Sequence, residues 1–306
     1  MRILIVGAGS TGGYFGARLI QAGRDVTFLV RPARAAALRD KGLQVVSPHG
    51  DFDVPAKVVT ASELKEPYDI VLVTVKAFGL AAAIADFAPA VGSGTTIMPF
   101  LNGMKHIDDL QARFGAERVV GGVVRVSTHL DGQGRVVQLS PVHELLYGEL
   151  DGSTSERIRG LDEFLSDAGF DTRLSDRIVQ ELWNKWIMLA SLGGITSLAR
   201  GTVGEIDATD GGAEFVRAFV AEAAAVASAS GHAPSPQVLD GTIALLTTKG
   251  SPLTSSMYRD LMAGDAVEVD QILGDLRARA RSSGIVTPLV SAAFIQLAIY
   301  QRKRAQ

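Results

Sequence analysis

The chain has 306 residues, 47% of them hydrophobic, with 30 basic residues against 33 acidic ones and a formal charge of -3. That is enough length for two domains and enough apolar content for a large core, which excludes a disordered chain; the near balance of charge excludes a protein that lives by coating nucleic acid. No cysteine is present, so disulfides and a thiolate nucleophile are excluded, and the cytoplasm is the compartment that fits.

The chain begins MRILIVGAGSTGG, whose apolar run is too short for the core of a signal peptide. No run reaches the ~18 apolar residues expected of a membrane span. The most apolar helical stretch, FVRAFVAEAAAVASAS, is interrupted by Arg217 and Glu222. A soluble intracellular protein with no membrane partner is expected.

In chain order, RILIV (2–6) reads as a buried parallel strand bounded by glycine. A helix follows over 12–22, stopped at Gly23, then the strand DVTFLV (25–30) and a helix stopped at Gly42. LQVVSPHGDFDVPAKVV predicts a strand, a turn over 48–51 and one returning strand. YDIVLVTV is a strong buried strand ending near Lys76. A helix over 79–88, the strand TTIMPF, a helix near 104–114 and the strand RVVGGVV continue the alternation. Strands alternating with helices in this way predict an α/β doubly wound parallel sheet.

After Val123 the pattern changes to alternating segments around Asp131-Gly-Gln-Gly134, read as antiparallel strands closing the first domain. A helix over 154–168 and a short strand FDTRLS come next. From Asp176 on, every long pattern is helical: 176–192, 212–230, 235–247, about 256–262, 266–282 and 288–302. The expected division is a sheet domain over 1–172 and an all-helical domain over 173–306.

GAGSTG follows the first strand and opens the first helix. A G-x-G-x-x-G pattern alone is weak; here it has the strand before and the helix after that a dinucleotide site requires. Gly7 serves the tight turn, Gly9 lets the backbone approach a pyrophosphate, and Gly12 lets the helix pack close. The helix end at Ser10 and Thr11 then offers unpaired N–H groups and a positive dipole to the phosphates. At the end of the second strand, LVRPAR puts Arg31 where an acid would favour NAD, so NADP(H) is the expected cofactor, with Arg31 on its 2′-phosphate.

The order of the glycine loop, Arg31, TVKAF with Lys76, LNGM with Asn102, LWNKW with Lys185 and SSMYRDLMAGDAVEVD with Glu268 resembles the ketopantoate reductases, from residue 2 to about 290. The resemblance implies a Rossmann-type domain that binds NADPH and a helical domain that closes over it. It implies reduction of a branched 2-oxo acid in the cleft between them, as in pantothenate biosynthesis. By motif, Lys185 matches the catalytic lysine, Glu268 a substrate-binding carboxylate that can also orient the lysine, and Ser256 a substrate-binding serine. Lys76 and Asn102 match residues beside the nicotinamide, and Asn102 is a candidate for the substrate as well. A small-molecule substrate is implied as partner, and a homodimer is compatible with the resemblance.

Three positions depart from the family pattern. Four and eight residues after the catalytic lysine, and three before the serine, the family usually carries asparagine; here stand Leu189, Gly193 and Leu253. A drier pocket follows, in which an unpaired polar group of a substrate costs about 1–3 kcal/mol, so a substrate other than ketopantoate is expected to suit it better.

Carbonyl reduction needs a hydride at carbon and a proton at oxygen, and a lysine in apolar surroundings suits the second task. Glu181, four residues before Lys185, offers the plainer alternative of an exposed helical ion pair. Two other functions keep the cofactor: an imine- or opine-forming NADP dehydrogenase, and a catalytically silent NADPH-binding sensor. Asp270 is read as structural. The five histidines are too scattered for a metal site, neither a nucleophile elbow nor a phosphate-binding lysine loop is present, and QRKRAQ is a short solvated basic tail.

Overall fold

A computed structural model describes residues 1–304 and divides the chain into two units. The first comprises Met1–Leu101 and His106–Ile178; the second comprises Asn102–Lys105 and the chain from Val179 on. Ala305 and Gln306, the end of the basic tail, lie outside the described residues; Gln301 to Arg304 finish the last helix.

The first unit opens with β1 (Arg2–Val6), α1 (Ser10–Gln21), β2 (Asp25–Leu29) and α2 (Pro32–Lys41). It continues with β3 (Leu43–Val46), β4 (Phe52–Val54), β5 (Lys57–Val59), β6 (Ile70–Val73), α3 (Leu80–Phe87) and β7 (Thr96–Pro99). Strands β5-β2-β1-β6-β7 form one parallel sheet in that order. The near-continuous apolar runs of β1, β6 and β7 are what burial on both faces demands.

One predicted strand is two. β3 and β4 pair as an antiparallel hairpin, but the chain then leaves that sheet at Pro55, and β5 joins β2 in parallel. A proline has no N–H for the ladder, so the returning strand stops there.

After α4 (Lys105–Phe114), β8 (Val120–Leu130) and β9 (Val136–Glu149) form a long antiparallel hairpin with an irregularity between Val126 and Thr128. The segment RVVGGVV, expected as a further strand of the parallel sheet, is therefore the first half of β8. A single bridge, Ile97 to Val119, links it to that sheet. After α5 (Glu156–Leu165), β10 (Asp171–Leu174) adds to β9 in parallel, giving a second sheet β10-β9-β3-β4 with β8 on β9. The first unit's core joins Ile5, Phe15 and Phe28 to Met98, Tyr147 and Phe170.

The border falls later than 172/173, because β10 is bonded to β9 and the Ser175 N–H donates to the Tyr147 carbonyl. The chain passes into the second unit at Ile178/Val179.

The second unit is helical: α6 (Ile178–Ala199), α7 (Val203–Asp207), α8 (Gly212–Ala229), α9 (Pro236–Leu246), α10 (Ser256–Ala263), α11 (Asp275–Ser282) and α12 (Pro288–Arg304). α6 outruns its predicted end at 192. Its Gly193 and Gly194 cost helix propensity, but a Cβ on Gly194 would stand 2.1 Å from the Phe219 ring, so the bare backbone is what lets α8 approach. The predicted helix 266–282 is shorter and irregular. Ala266 to Glu268 are non-helical, with the Val267 N–H held by Gln301 Oε1 at 3.0 Å, and a π-helical turn over Asp270–Gly274 precedes α11. Among the described residues no helix is long and apolar enough to cross a membrane.

Candidate functional site

In the first unit the sequence motifs meet at the carboxyl end of the parallel sheet. The chain leaves β1 through Gly7, at a φ of +99° that favours glycine, and enters α1 at Gly9. Among the described residues no side chain caps α1 at Gly9, so the first-turn amides at Ser10 and Thr11 carry the partial positive charge of an uncapped helix end. A Cβ on Gly9 would meet nothing within 4 Å, whereas one on Gly12 would stand 2.2 Å from Thr74 Oγ1 and 2.4 Å from the Gly7 carbonyl oxygen. Thr74, one residue past β6, donates its hydroxyl to the carbonyls of Val6 and Gly7 at 3.0 and 2.8 Å. The loop is therefore pinned from β6, with room above Gly9. That is the form a pyrophosphate needs.

Arg31 is exposed at the first position after Val30, at the N-terminal boundary of α2. Arg34 is half-buried and differently employed. Its Nε donates to the Ala8 carbonyl at 3.3 Å, and its terminal nitrogens to the Gly134 carbonyl at 3.4 Å. Burial lowers its pKa from the usual guanidinium value. Lys76 is exposed where a single 3₁₀ turn, Ala77–Gly79, follows β6. Since β2, β1 and β6 are adjacent, Arg31, the glycine loop and Lys76 stand side by side at one end of the sheet.

In the second unit, α6 is apolar almost all round, with Trp183 and Trp186 at 2% and 1% exposure. Lys185 lies between them and is half-buried. The Trp186 indole N–H donates to the Ile272 carbonyl at 3.0 Å, and the Ile272 N–H donates to the Glu268 carbonyl at 3.1 Å. Lys185 and Glu268 are thus each adjacent to one end of the same short chain of hydrogen bonds. Glu268 is 9% exposed and lies two residues before the π-helical turn, a distortion that recurs at functional sites.

Asn102 follows the fifth parallel strand in sequence but groups with the helical unit, not with the domain 1–172 in which sequence placed it. Its carbonyl accepts from Gln271 Nε2 at 3.0 Å, and a Cβ on Gly103 would stand 2.7 Å from the Gln271 carbonyl oxygen. Ser256 is exposed on the first turn of α10. Its neighbour Ser255 is the buried one: the Ser255 hydroxyl accepts the Tyr258 N–H at 2.9 Å and lies 3.2 Å from Thr196 Oγ1 on α6. Asn102, Lys185, Ser256 and Glu268 therefore sit on segments braced by α6 or by the turn packed against it.

The family model described as Ketopantoate reductase PanE/ApbA matches residues 3–152, and the one described as Ketopantoate reductase PanE/ApbA C terminal matches residues 177–301. The chain belongs to the ketopantoate reductase family. It is an oxidoreductase of that family. The uncharacterized oxidoreductase YkpB of Bacillus subtilis (strain 168) is 33% identical over 99% of this chain and 100% of its own. The crystal structure of 2-dehydropantoate 2-reductase from Geobacter metallireducens GS-15 is 31% identical with a TM-score of 0.89, covering 98% of this chain and 99% of that one. D-Mandelate dehydrogenase, in its ternary structure with NADH and anilino(oxo)acetate, shares the fold at a TM-score of 0.90 and 22% identity, with both chains fully covered.

Three residues of this ketopantoate reductase fold escaped the sequence reading. Thr74 could have been found as the polar residue ending an apolar strand; Trp186 and Gln271 act through backbone carbonyls that no pattern announces, and so does Arg34, which the sequence marks only as a second arginine three residues after Arg31. A separate cavity of about 360 Å³, lined by Arg200, Glu205, Thr209, Asp210 and Phe215 among others, contains none of the predicted site residues.

Proposed function

We propose that the protein is an NADPH-dependent reductase that converts 2-oxo acids to 2-hydroxy acids. The observation that carries this reading is Lys185: a half-buried lysine on a largely apolar helix, next to Trp186, whose indole bonds Ile272 on the segment that follows Glu268. An ammonium held beside a reacting carbonyl stabilises the developing alkoxide and has a proton to give it.

The pinned glycine loop, the uncapped end of α1 and the open space above Gly9 suit a dinucleotide pyrophosphate, and Arg31 at the end of β2 suits a 2′-phosphate. When bound, the reduced nicotinamide supplies the hydride that goes to the carbonyl carbon. Lys185 hydrogen-bonds the carbonyl oxygen and transfers one proton to it, leaving the neutral amine and a 2-hydroxy acid. Glu268 orients Lys185 or binds a substrate hydroxyl, Ser256 and Asn102 bind the substrate, and Lys76 lies with the cofactor.

The test is a panel of 2-oxo acids mixed with NADPH, with and without ammonium or an amino acid, read by loss of NADPH absorbance. Oxidation by 2-oxo acids alone is the expected result. Oxidation only when an amine is added makes the protein an imine or opine former, and NADPH binding without oxidation by any carbonyl makes it a sensor.

A further inference from the structure

On α6, Leu189 lies one turn beyond Lys185 on the same helix face, with Met188 beside it, and Leu192 and Thr196 continue the stripe. Thr196 Oγ1 is 3.2 Å from Ser255 Oγ, so the stripe runs from Lys185 to the start of α10, where Ser256 is exposed and Leu253 precedes it by three residues. Met188, Leu189 and Leu253 are each half-buried and keep part of their surface accessible. Gly193, at the edge of the stripe, offers no group of its own, and its place is taken: a Cβ there would stand 2.7 Å from Met257 Cε. Between the lysine and the threonine the side chains that α6 itself presents on this face, Met188, Leu189 and Leu192, are apolar.

We infer that this stripe receives the side chain of the substrate, and that the protein selects 2-oxo acids with a hydrocarbon substituent over those that carry a hydroxyl there. This rests on the reading of the protein as a 2-oxo acid reductase. A hydroxyl laid against Met188 and Leu189 gives up its water and gains no partner. A hydrocarbon group of the same shape loses nothing and gains burial. The stripe is thus the specificity element, with Met257 as the residue that keeps position 193 apolar.

The test compares 3,3-dimethyl-2-oxobutanoate with its 4-hydroxy derivative, 2-dehydropantoate, which has the same carbon skeleton. The hydrocarbon acid is expected to have a kcat/KM higher by about tenfold to a hundredfold, the range that a hydrophobic pocket achieves against an added hydroxyl. Leu189→Asn is expected to narrow that ratio by about tenfold, and Met188→Gln repeats the test from the neighbouring position should the first variant fold poorly. Calorimetric binding of the two corresponding 2-hydroxy acids in the presence of NADP⁺ should show the same order without any turnover. Equal or better use of the hydroxylated acid overturns the inference and leaves the reductase intact. NADPH oxidation by neither acid, nor by any other 2-oxo acid, overturns the reductase reading and this inference with it.

Discussion

The Trp186 indole N–H reaches the Ile272 carbonyl at 3.0 Å, and this one bond fixes the helix that carries Lys185 to the π-helical turn that follows Glu268. The Arg279 guanidinium lies over both tryptophan rings, 5.8 Å from Trp183 and 5.7 Å from Trp186, and reinforces the contact. Trp186→Phe removes that hydrogen bond, which costs about 0.5–1.5 kcal/mol, with a further loss from the smaller ring. The expected outcome is a lower Tm and a lower kcat with unchanged NADPH affinity. A variant with a lower Tm and full kcat would show that the bond holds the fold but not the site.

Gly9 and Gly12 belong to one motif but fail in different ways. An alanine at 9 has open space around its Cβ, so Gly9→Ala should melt as the wild type does; its methyl meets only the bound pyrophosphate, and the Kd for NADPH should rise at least about tenfold. An alanine at 12 must displace Thr74 or the loop itself, so Gly12→Ala should lose stability and cofactor together. Thermal melts and fluorescence titration on the two variants separate these cases. Wild-type NADPH affinity in Gly9→Ala would remove the loop from the phosphate site.

Arg31 and Arg34 divide the same way. Arg31 is exposed at the end of β2, and if it holds a 2′-phosphate, Arg31→Ala should weaken NADPH and spare NADH, shrinking the preference ratio by about tenfold or more. Arg34 holds the carbonyls of Ala8 and Gly134, so Arg34→Ala should weaken both cofactors alike and lower the Tm. An unchanged NADPH/NADH ratio in Arg31→Ala would reject its role.

The parallel sheet and the glycine loop were legible because each rests on local signals: four- and five-residue apolar runs, glycines at stops, and a motif with its own strand and helix. The division of LQVVSPHGDFDVPAKVV into two strands of different sheets was not, because pairing is a tertiary choice and only Pro55 hinted at it. α7 was missed though Thr202 and Glu205 form a capping box, because five residues are too few to show a period. The extension of α6 through Gly193 and Gly194 depends on what packs there, Met257 and Phe219, which the local sequence does not contain. The same holds for Asn102, whose grouping with the helical unit depends on Gln271, 169 residues away.

His143 gives the fold an acid limit. Its Nδ1 pairs with the Tyr14 hydroxyl at 2.7 Å, the His49 ring stacks on it at 4.0 Å, and Arg18 and Asp171 are its other charged neighbours. Burial first, and His49 second, push its pKa below the ordinary 6.5; burial does the same to His232. Below that ordinary value the unfolded chain takes up these protons before the folded one does, so stability falls as pH drops from 6.5 towards the folded pKa values and is flat above. Denaturant melts between pH 7 and 5 should show this slope, and His143→Gln should reduce it. The same slope in the variant would assign the acid limit elsewhere.

The proposed chemistry stands or falls with Lys185, and two substitutions separate what it can contribute. Being half-buried at the edge of a well-packed helix, it can be lost without opening the core, so Lys185→Ala should fold and bind NADPH as the wild type does. Its kcat should fall by roughly 10²–10⁴, the usual range for losing a positioned proton donor. Lys185→Arg keeps the positive charge but puts it on a group that does not release its proton in proteins. If the proton transfer matters, the arginine variant falls with the alanine one; if charge alone stabilises the developing alkoxide, it recovers much of the rate. Single-turnover NADPH oxidation with a saturating 2-oxo acid reads both without interference from product release. Near wild-type rates in the alanine variant would take Lys185 out of the mechanism and leave α6 with only a structural lysine.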